Sequence, residues 1–385
     1  MAQVSLQKCD SYDPEKLYEL ICSSLAGIGF DVRNFSGKTV LIKPNLLVGV
    51  GPEKAVTTHP EFFRAAARVV VENKGRAVVC ESPAITSLSK ALKKTGMAGI
   101  VEEFGLETAD ENDSTVLLHE GENQFKRFEI SRAAAQADII LSLPKLKTHG
   151  ITYITGATKN LFGLIPGLQK SRWHMKAPTP ESFADFLLDF NEALHLAFEP
   201  PKTFIHLMDA VVGMEGEGPG PSGTPRHIGA ILAGTDALAV DWVAVKVLGL
   251  PIEKVRTITE GFNRPCFVSS DKEIEVVGQR PESFGIKDFK PSKNTFFSNM
   301  WRGPLATHTV RNLFTEKPVP QEEKCVLCYE CLKICPAHAI DKKQGKAKTP
   351  SFDHNKCIRC YCCAEICPEA AISLKKGSLQ WLLPR

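Results

Sequence analysis

Two runs near the C-terminus decide the architecture: Cys325-Val-Leu-Cys328-Tyr-Glu-Cys331-Leu-Lys-Ile-Cys335-Pro336 and Cys357-Ile-Arg-Cys360-Tyr-Cys362-Cys363-Ala-Glu-Ile-Cys367-Pro368. Each has the spacing C-x2-C-x2-C-x3-C-P. Three cysteines at steps of three wrap a turn-rich loop around one face of an iron–sulfur cubane. The proline after the fourth starts a short helix with one amide fewer to satisfy. Structural zinc sites favour separated cysteine pairs, and two triple runs closed by Cys-Pro fit that pattern poorly. Nine of the 13 cysteines lie between Cys325 and Cys367, while Cys9, Cys22, Cys80 and Cys266 are scattered. A disulfide scaffold would not be packed this way in a chain read as lacking a secretion signal.

Both runs match the bacterial ferredoxin pattern, whose fourth cysteine reaches across to the other cluster. The match implies two [4Fe–4S] clusters, one held by Cys325, Cys328, Cys331 and Cys367, the other by Cys357, Cys360, Cys363 and Cys335. Cys362 is read as a non-ligand. Ala339-Ile340 and Ala371-Ile372 supply the small apolar residues that each half needs. Such clusters imply an oxygen-sensitive protein that moves single electrons. The excess lysine around them, including Lys324, Lys333 and Lys356, offsets the charge of thiolates and clusters.

The chain has 385 residues and a formal net charge of +3, from 47 Lys and Arg against 44 Asp and Glu. That balance does not indicate a nucleic-acid coat. The composition is that of a globular chain. No apolar run reaches the roughly 18 residues of a membrane span, and the expected location is cytoplasmic. Residues 1–285 alternate strand-like runs (Thr39–Ile42, Ala77–Cys80, Ala137–Leu143, Thr203–Met208, Ile228–Leu232) with helical ones (Glu61–Glu72, Ser87–Lys94, Phe183–Leu196, Ala237–Leu248). This predicts an α/β main domain with a parallel or mixed sheet. A proline-punctuated linker, 286–320, is expected to pack on it through Phe296, Phe297, Trp301 and Phe314. A small α+β ferredoxin-like two-cluster module follows at 321–377, and then a tail, 378–385.

In open α/β sheets the ligand crevice lies at the carboxyl ends of the strands. Lys43, Asn45, Glu81 and Asp209 follow apolar strands, and His59 opens a helix; these are the expected substrate-binding residues. The densest polar cluster is Pro144-Lys145-Leu-Lys147-Thr-His149, followed by Thr155-Gly-Ala-Thr-Lys159-Asn160-Leu-Phe-Gly163. Lys145, Lys147 and Lys159 offer positive charge, His149 a proton near neutral pH, and Asn160 an orienting hydrogen bond. They are the expected catalytic set for an anionic substrate; the alternative is a solvated basic turn. Gly213–Gly223 reads as a mobile loop or lid, the segment around His174 as a basic loop over a pocket, and Asp236 as a helix-start residue. No P-loop occurs.

Val40-Leu-Ile-Lys-Pro-Asn45, Lys145-x-Lys-Thr-His149, Thr155-Gly-x-x-Lys-Asn-x-x-Gly163 and Asp236-x-x-Ala-Val-Asp241 together resemble the DUF362 family, in which many members carry a C-terminal two-cluster ferredoxin module. The resemblance implies architecture rather than reaction. The expected function is a ferredoxin-fused reductase. A low-potential donor or redox partner protein would feed electrons through the clusters to an anionic small molecule held in the α/β domain. The competing readings are an electron carrier that docks a partner and a metal- or cluster-handling protein. The sequence is silent on oligomeric state.

Overall fold

The computed structural model describes residues 1–83, 86–167, 169–292 and 312–379. Phe296, Phe297, Trp301 and the end of the tail lie outside them. A ten-stranded mixed sheet forms the main domain. Its strands are β1 (Ala2–Lys8), β2 (Thr39–Pro44), β3 (Arg76–Val79) and β4 (Glu107–Thr108), then, after a separate hairpin of β5 (Ser114–Leu118) and β6 (Arg127–Ser131), β7 (Ile139–Leu143), β8 (Lys145–His149), β9 (Tyr153–Thr155), β10 (Thr203–Gly216), β11 (Gly223–Gly234) and β12 (Ile274–Gly278). The order across the sheet is β12-β1-β11-β10-β7-β2-β3-β4, with β8 and β9 added beside β10. From β10 to β4 all neighbours are parallel; β11 runs antiparallel to both β1 and β10.

The central strands are buried on both faces, as parallel strands under helices must be. Val40 and Ile42 of β2 join a core with the helices Pro14–Gly27 and Pro60–Glu72, while Leu41 between them joins the opposite core with the helix Pro180–Leu196. Burying a side chain such as Leu41 stabilises the fold by about 1.5–3 kcal/mol. Helix starts follow capping chemistry: Asp236 accepts from Ala239 N at 2.9 Å, and Thr179 and Ser182 cap each other reciprocally.

The segment Gly213–Gly223 is not a lid. Its ends are the last residues of β10 and the first of β11, and the two strands form one long antiparallel hairpin. Glycine is required there for packing: a Cβ at Gly213 would meet Ile228 and the Leu146 carbonyl. The His174 segment is also not a loop but a helix, Gln169–Lys176, with His174 buried.

His206 of β10 is fully buried, with no partner for either ring nitrogen among the described residues. Burial, then His195, pushes its pKa down to about 3. In the unfolded chain it takes a proton near pH 6.5. Its contribution is therefore complete above that pH and is lost as pH falls toward 3, by about 1.4 kcal/mol per unit. In urea unfolding, His206→Leu should lose about 2 kcal/mol less than the native chain between pH 6.5 and 5; an unchanged pH slope would refute this.

The module is a twofold internal repeat at a spacing of 32 residues. Cys325, Cys328, Cys331 and Cys335 answer to Cys357, Cys360, Cys363 and Cys367. The backbone repeats as well: positive φ occurs at Leu327 and Arg359, Tyr329 and Tyr361, His338 and Ala370. Each half gives a short helix, Glu330–Ile334 or Cys362–Ile366, which carries the third cysteine and ends before the fourth, so the closing proline opens a turn and not a helix. Strands β13 (Lys317–Pro320), β14 (Ile340–Asp341), β15 (Ser351–Phe352) and β16 (Ile372–Lys375) close it as two small ladders, β13 with β16 and β14 with β15. Lys317–Pro320, counted with the linker in the sequence, is thus paired into the module.

Candidate functional site at the seam between domain and module

Strands β2, β3, β7 and β10 are parallel neighbours, so their carboxyl ends bring Lys43, Glu81, the run into β8 and Asp209 to one edge of the sheet. All five residues of β8 are buried, which rules out the solvated basic turn. Strand alternation then sends Lys145, Lys147 and His149 to one side and Leu146 to the hydrophobic core.

The predicted polar residues separate into two clusters. In the first, Lys145 donates to Asp209 Oδ2 at 2.7 Å and to the Tyr12 hydroxyl at 2.9 Å; Tyr12 donates to Asp209 Oδ1 at 2.8 Å. The His59 backbone amide also donates to Asp209, at 2.9 Å, while its Nδ1 caps the following helix by accepting from Glu61 N. The rings of His59 and Tyr12 stack at 3.5 Å. Burial brings the His59 pKa down to about 4. The groups of this cluster satisfy one another.

The second cluster is a chain. Lys147 donates to Asn45 Oδ1 at 2.8 Å, Asn45 to Asn160 Oδ1 at 3.1 Å, and Asn160 to Ser142 Oγ at 2.9 Å. Lys43 reaches Asn160 Oδ1 at 3.4 Å and pairs with Glu81, which also pairs with Lys170 at 3.3 Å. The Lys43–Glu81 pair is fully desolvated, so losing either partner would strand a buried charge. Gly163 packs directly on this pair; a Cβ there would land on both side chains. Burial holds the Lys147 ammonium well below the ordinary lysine range, with Lys159 and Lys145 adding to the shift.

Asp241 reaches the same region from another helix. Its carboxylate accepts from Ala157 N at 2.5 Å and Thr158 N at 3.0 Å, and so fixes the turn that carries Lys159 and Asn160. Gly156 is needed because a Cβ would strike that carboxylate. Burial still raises the Asp241 pKa to about 6.

These residues border a cavity beneath the module. Asn45, Leu47, Glu81, Thr155, Lys159, Asn160, Phe162, Lys170 and His174 line it from the main domain; Ile334, Cys362, Glu365 and Ile366 line it from the module. The cavity has a volume of about 80 Å³. His149 lies behind it. Its Nδ1 accepts from Ile151 N at 3.0 Å and Thr152 N at 3.2 Å, which puts the ring hydrogen of the neutral form on Nε2, 3.6 Å from Glu365 Oε1. Burial keeps this ring neutral. Of the ten predicted catalytic and substrate-binding residues, Asn45, Glu81, Lys159 and Asn160 reach the cavity, and Lys43 and Lys147 brace it. Lys145, His59 and Asp209 belong to the first cluster. Lys170 and Glu365 were missed by the sequence reading: Lys170 lies in a segment read as a loop, and Glu365 among cluster ligands.

The eight predicted cluster cysteines surround two further cavities. One is lined by Cys325, Cys328, Cys331 and Cys367, the other by Cys335, Cys357, Cys360 and Cys363. Each set thus takes its fourth thiol from the other run. Among the described residues, no three His, Cys, Asp or Glu side chains converge as they would on one metal ion; the thiols ring a space instead, as a cubane requires. Ala339 N and Ala371 N donate to Cys335 and Cys367 Sγ at 3.3 and 3.2 Å, the stabilisation that a thiolate ligand needs. The residues present therefore fit iron–sulfur ligation. Cys362 lines both the second thiol cavity and the cavity at the sheet edge.

The two halves of the module face different surroundings. Cys328 and Val326 at the first set are exposed, Val326 by 63%. Both helices touch the main domain: Cys331 and Ile334 of the first and Cys362 and Ile366 of the second pack with Val48, Val56 and Met214. A Cβ at Gly220 would strike the Glu365 backbone.

The fold and site thus define an α/β domain joined to an iron–sulfur module of ferredoxin type. Residues 40–246 match the family described as "Domain of unknown function (DUF362)", and residues 324–371 match a 4Fe-4S dicluster domain. The chain belongs to the DUF362 family. It is 30% identical over 259 residues to a thylakoid-associated protein of Synechocystis sp., covering 66% of this chain and 77% of that protein. A crystal structure of a Thermotoga maritima protein is similar at 14% identity and a TM-score of 0.36, over 57% of this chain and 55% of that one. The lactate racemase apoprotein of Thermoanaerobacterium thermosaccharolyticum is similar at 12% identity and a TM-score of 0.34, over 59% of this chain and 54% of that one. The chain thus spans about half the length of either solved structure, and both scores are too low to transfer fold or function. Among the described residues no helix is long and apolar enough to cross a membrane.

Proposed function

We propose that the protein is a ferredoxin-fused reductase that passes single electrons through two [4Fe–4S] clusters to an anionic small molecule bound at the edge of the sheet. The observation that carries this reading is Cys362, which lines both the second thiol cavity and the sheet-edge cavity. When bound, the clusters supply electrons one at a time. The chain's own residues do the rest. Lys159 holds the anionic end of the substrate, and we assign to it the proton that the sequence reading gave to His149, whose ring is neutral and whose Nδ1 is engaged. The Lys147–Asn45–Asn160–Lys43–Glu81 chain fixes the floor. Leu47, Phe162, Ile334 and Ile366 exclude water, which strengthens the pull of Lys159 on negative charge.

A recessed cavity lined by both domain and module suits a reductase better than a carrier, which would present a flat docking face. The donor in this reading is a low-potential one-electron partner protein, and the setting is the cytoplasm. The test is an anaerobic screen in which the dithionite-reduced protein is mixed with small anionic metabolites and its visible absorption followed. A compound that reoxidises the protein in proportion to its own reduction supports the proposal. Reoxidation by protein carriers alone would replace it with the carrier reading.

A further inference from the structure

The sheet-edge cavity contains polar groups that the protein itself leaves unmatched. Lys170 and Glu81 bond to each other, and Glu81 also engages Lys43 and Ser82 N. Asn45 and Asn160 are consumed by the chain described above. Two lining donors remain, Lys159 and His174, with the Glu365 carboxylate beside them. The Lys159 ammonium has no hydrogen-bond acceptor among the described residues, and its one aromatic contact is the Phe162 ring at 5.9 Å. Glu365 faces Lys159 electrostatically without pairing with it. The His174 ring is 8% exposed and stacks on Phe183 at 4.6 Å, with neither nitrogen hydrogen-bonded among the described residues. Thr155 Oγ1 also has no partner among the described residues, but it is sealed behind the wall of the cavity.

Buried donors without acceptors are costly, so their convergence on one space marks the outline of a missing ligand. Lys159 and His174 can both donate, which calls for an acceptor-rich, negatively charged group. Only Lys159 brings an unpaired positive charge, and Glu81 and Glu365 stand at the walls, so a monoanion suits the site better than phosphate. Leu47, Ile334 and Ile366 give the ligand an apolar side. The space is small, about 80 Å³, which suits a small ligand.

We infer that this cavity binds a small monocarboxylate, its carboxylate held by Lys159, with His174 hydrogen-bonded at its flank. This deepens the reductase proposal by naming its substrate class, and it rests on that proposal only for the importance of the site, because binding needs no electrons. The experiment is anaerobic titration calorimetry on the full-length, cluster-loaded, oxidised protein. The probes are propionate, butyrate, crotonate, hexanoate, propionamide and inorganic phosphate. The three- and four-carbon acids should bind at least about tenfold more tightly than hexanoate or propionamide, and Lys159→Met should weaken them by about tenfold or more. The Lys159→Met loss should come at unchanged iron content and thermal unfolding. Absence of carboxylate binding to the native protein, tighter binding of phosphate, or full affinity in Lys159→Met would each overturn the inference. Tight carboxylate binding without reoxidation of the reduced protein would leave it standing and sink the reductase proposal alone.

Discussion

Cys335→Ser leaves about half the iron: close to four atoms per chain where the native protein holds about eight. The cluster that disappears is the one whose other three ligands are in the second run, because the Cys335 thiol lines the cavity of Cys357, Cys360 and Cys363 and not that of its own run. Cys367→Ser empties the complementary set, around Cys325, Cys328 and Cys331. Cys362→Ser keeps both clusters, since the residue lines the cavity and is not a fourth ligand. Iron analysis with electron paramagnetic resonance of the reduced proteins reads all three. If Cys335→Ser instead spared the second-run cluster and lost the first, the crossed arrangement would be wrong.

Lys159→Met lowers substrate reduction by at least about 100-fold, the scale on which a preorganised charge acts at a reacting group, while iron content and unfolding midpoint hold. Lys145→Met behaves differently although the two lysines look alike in the sequence. Lys145 is buried against Asp209 and Tyr12, and it is absent from the lining of the cavity. Its removal strands the Asp209 carboxylate and destabilises the fold by about 3–5 kcal/mol. Turnover per folded molecule should stay within a few-fold. Steady-state rates and urea unfolding on the two variants separate the roles; equal loss of turnover in both would reject the division into two clusters.

The cysteine module was legible from the sequence because its geometry is local. Ligand spacing, the closing proline and the repeat all lie within one short stretch. Strands β2, β3 and β7 were legible for a related reason: strands buried on both faces read as short apolar runs. Strand β8 was not. Lys-Leu-Lys-Thr-His has the composition of a surface turn, and it is buried only because Asp209, Asn45 and the Val56 carbonyl meet its lysines from distant parts of the chain. Nor could the sequence separate Lys145 from Lys159, since the difference lies in which of them already has a carboxylate. The Gly213–Gly223 stretch misled because glycines that permit close packing resemble glycines that permit motion. Asp241 was recognised as part of a motif, but its reach to the amides of Ala157 and Thr158 depends on the fold bringing its helix across the sheet edge.

The two copies within the module have diverged according to what each one touches. Glu330 and Lys333 occupy, in the first helix, the places that Cys362 and Glu365 hold in the second, and they pair with each other at 3.1 Å. Lys333 is exposed and meets water, while its counterpart faces the neighbouring domain. At these two places the first helix therefore carries the ion pair that a water-facing surface favours. The second carries a thiol and a carboxylate instead, and with them it meets the neighbouring domain.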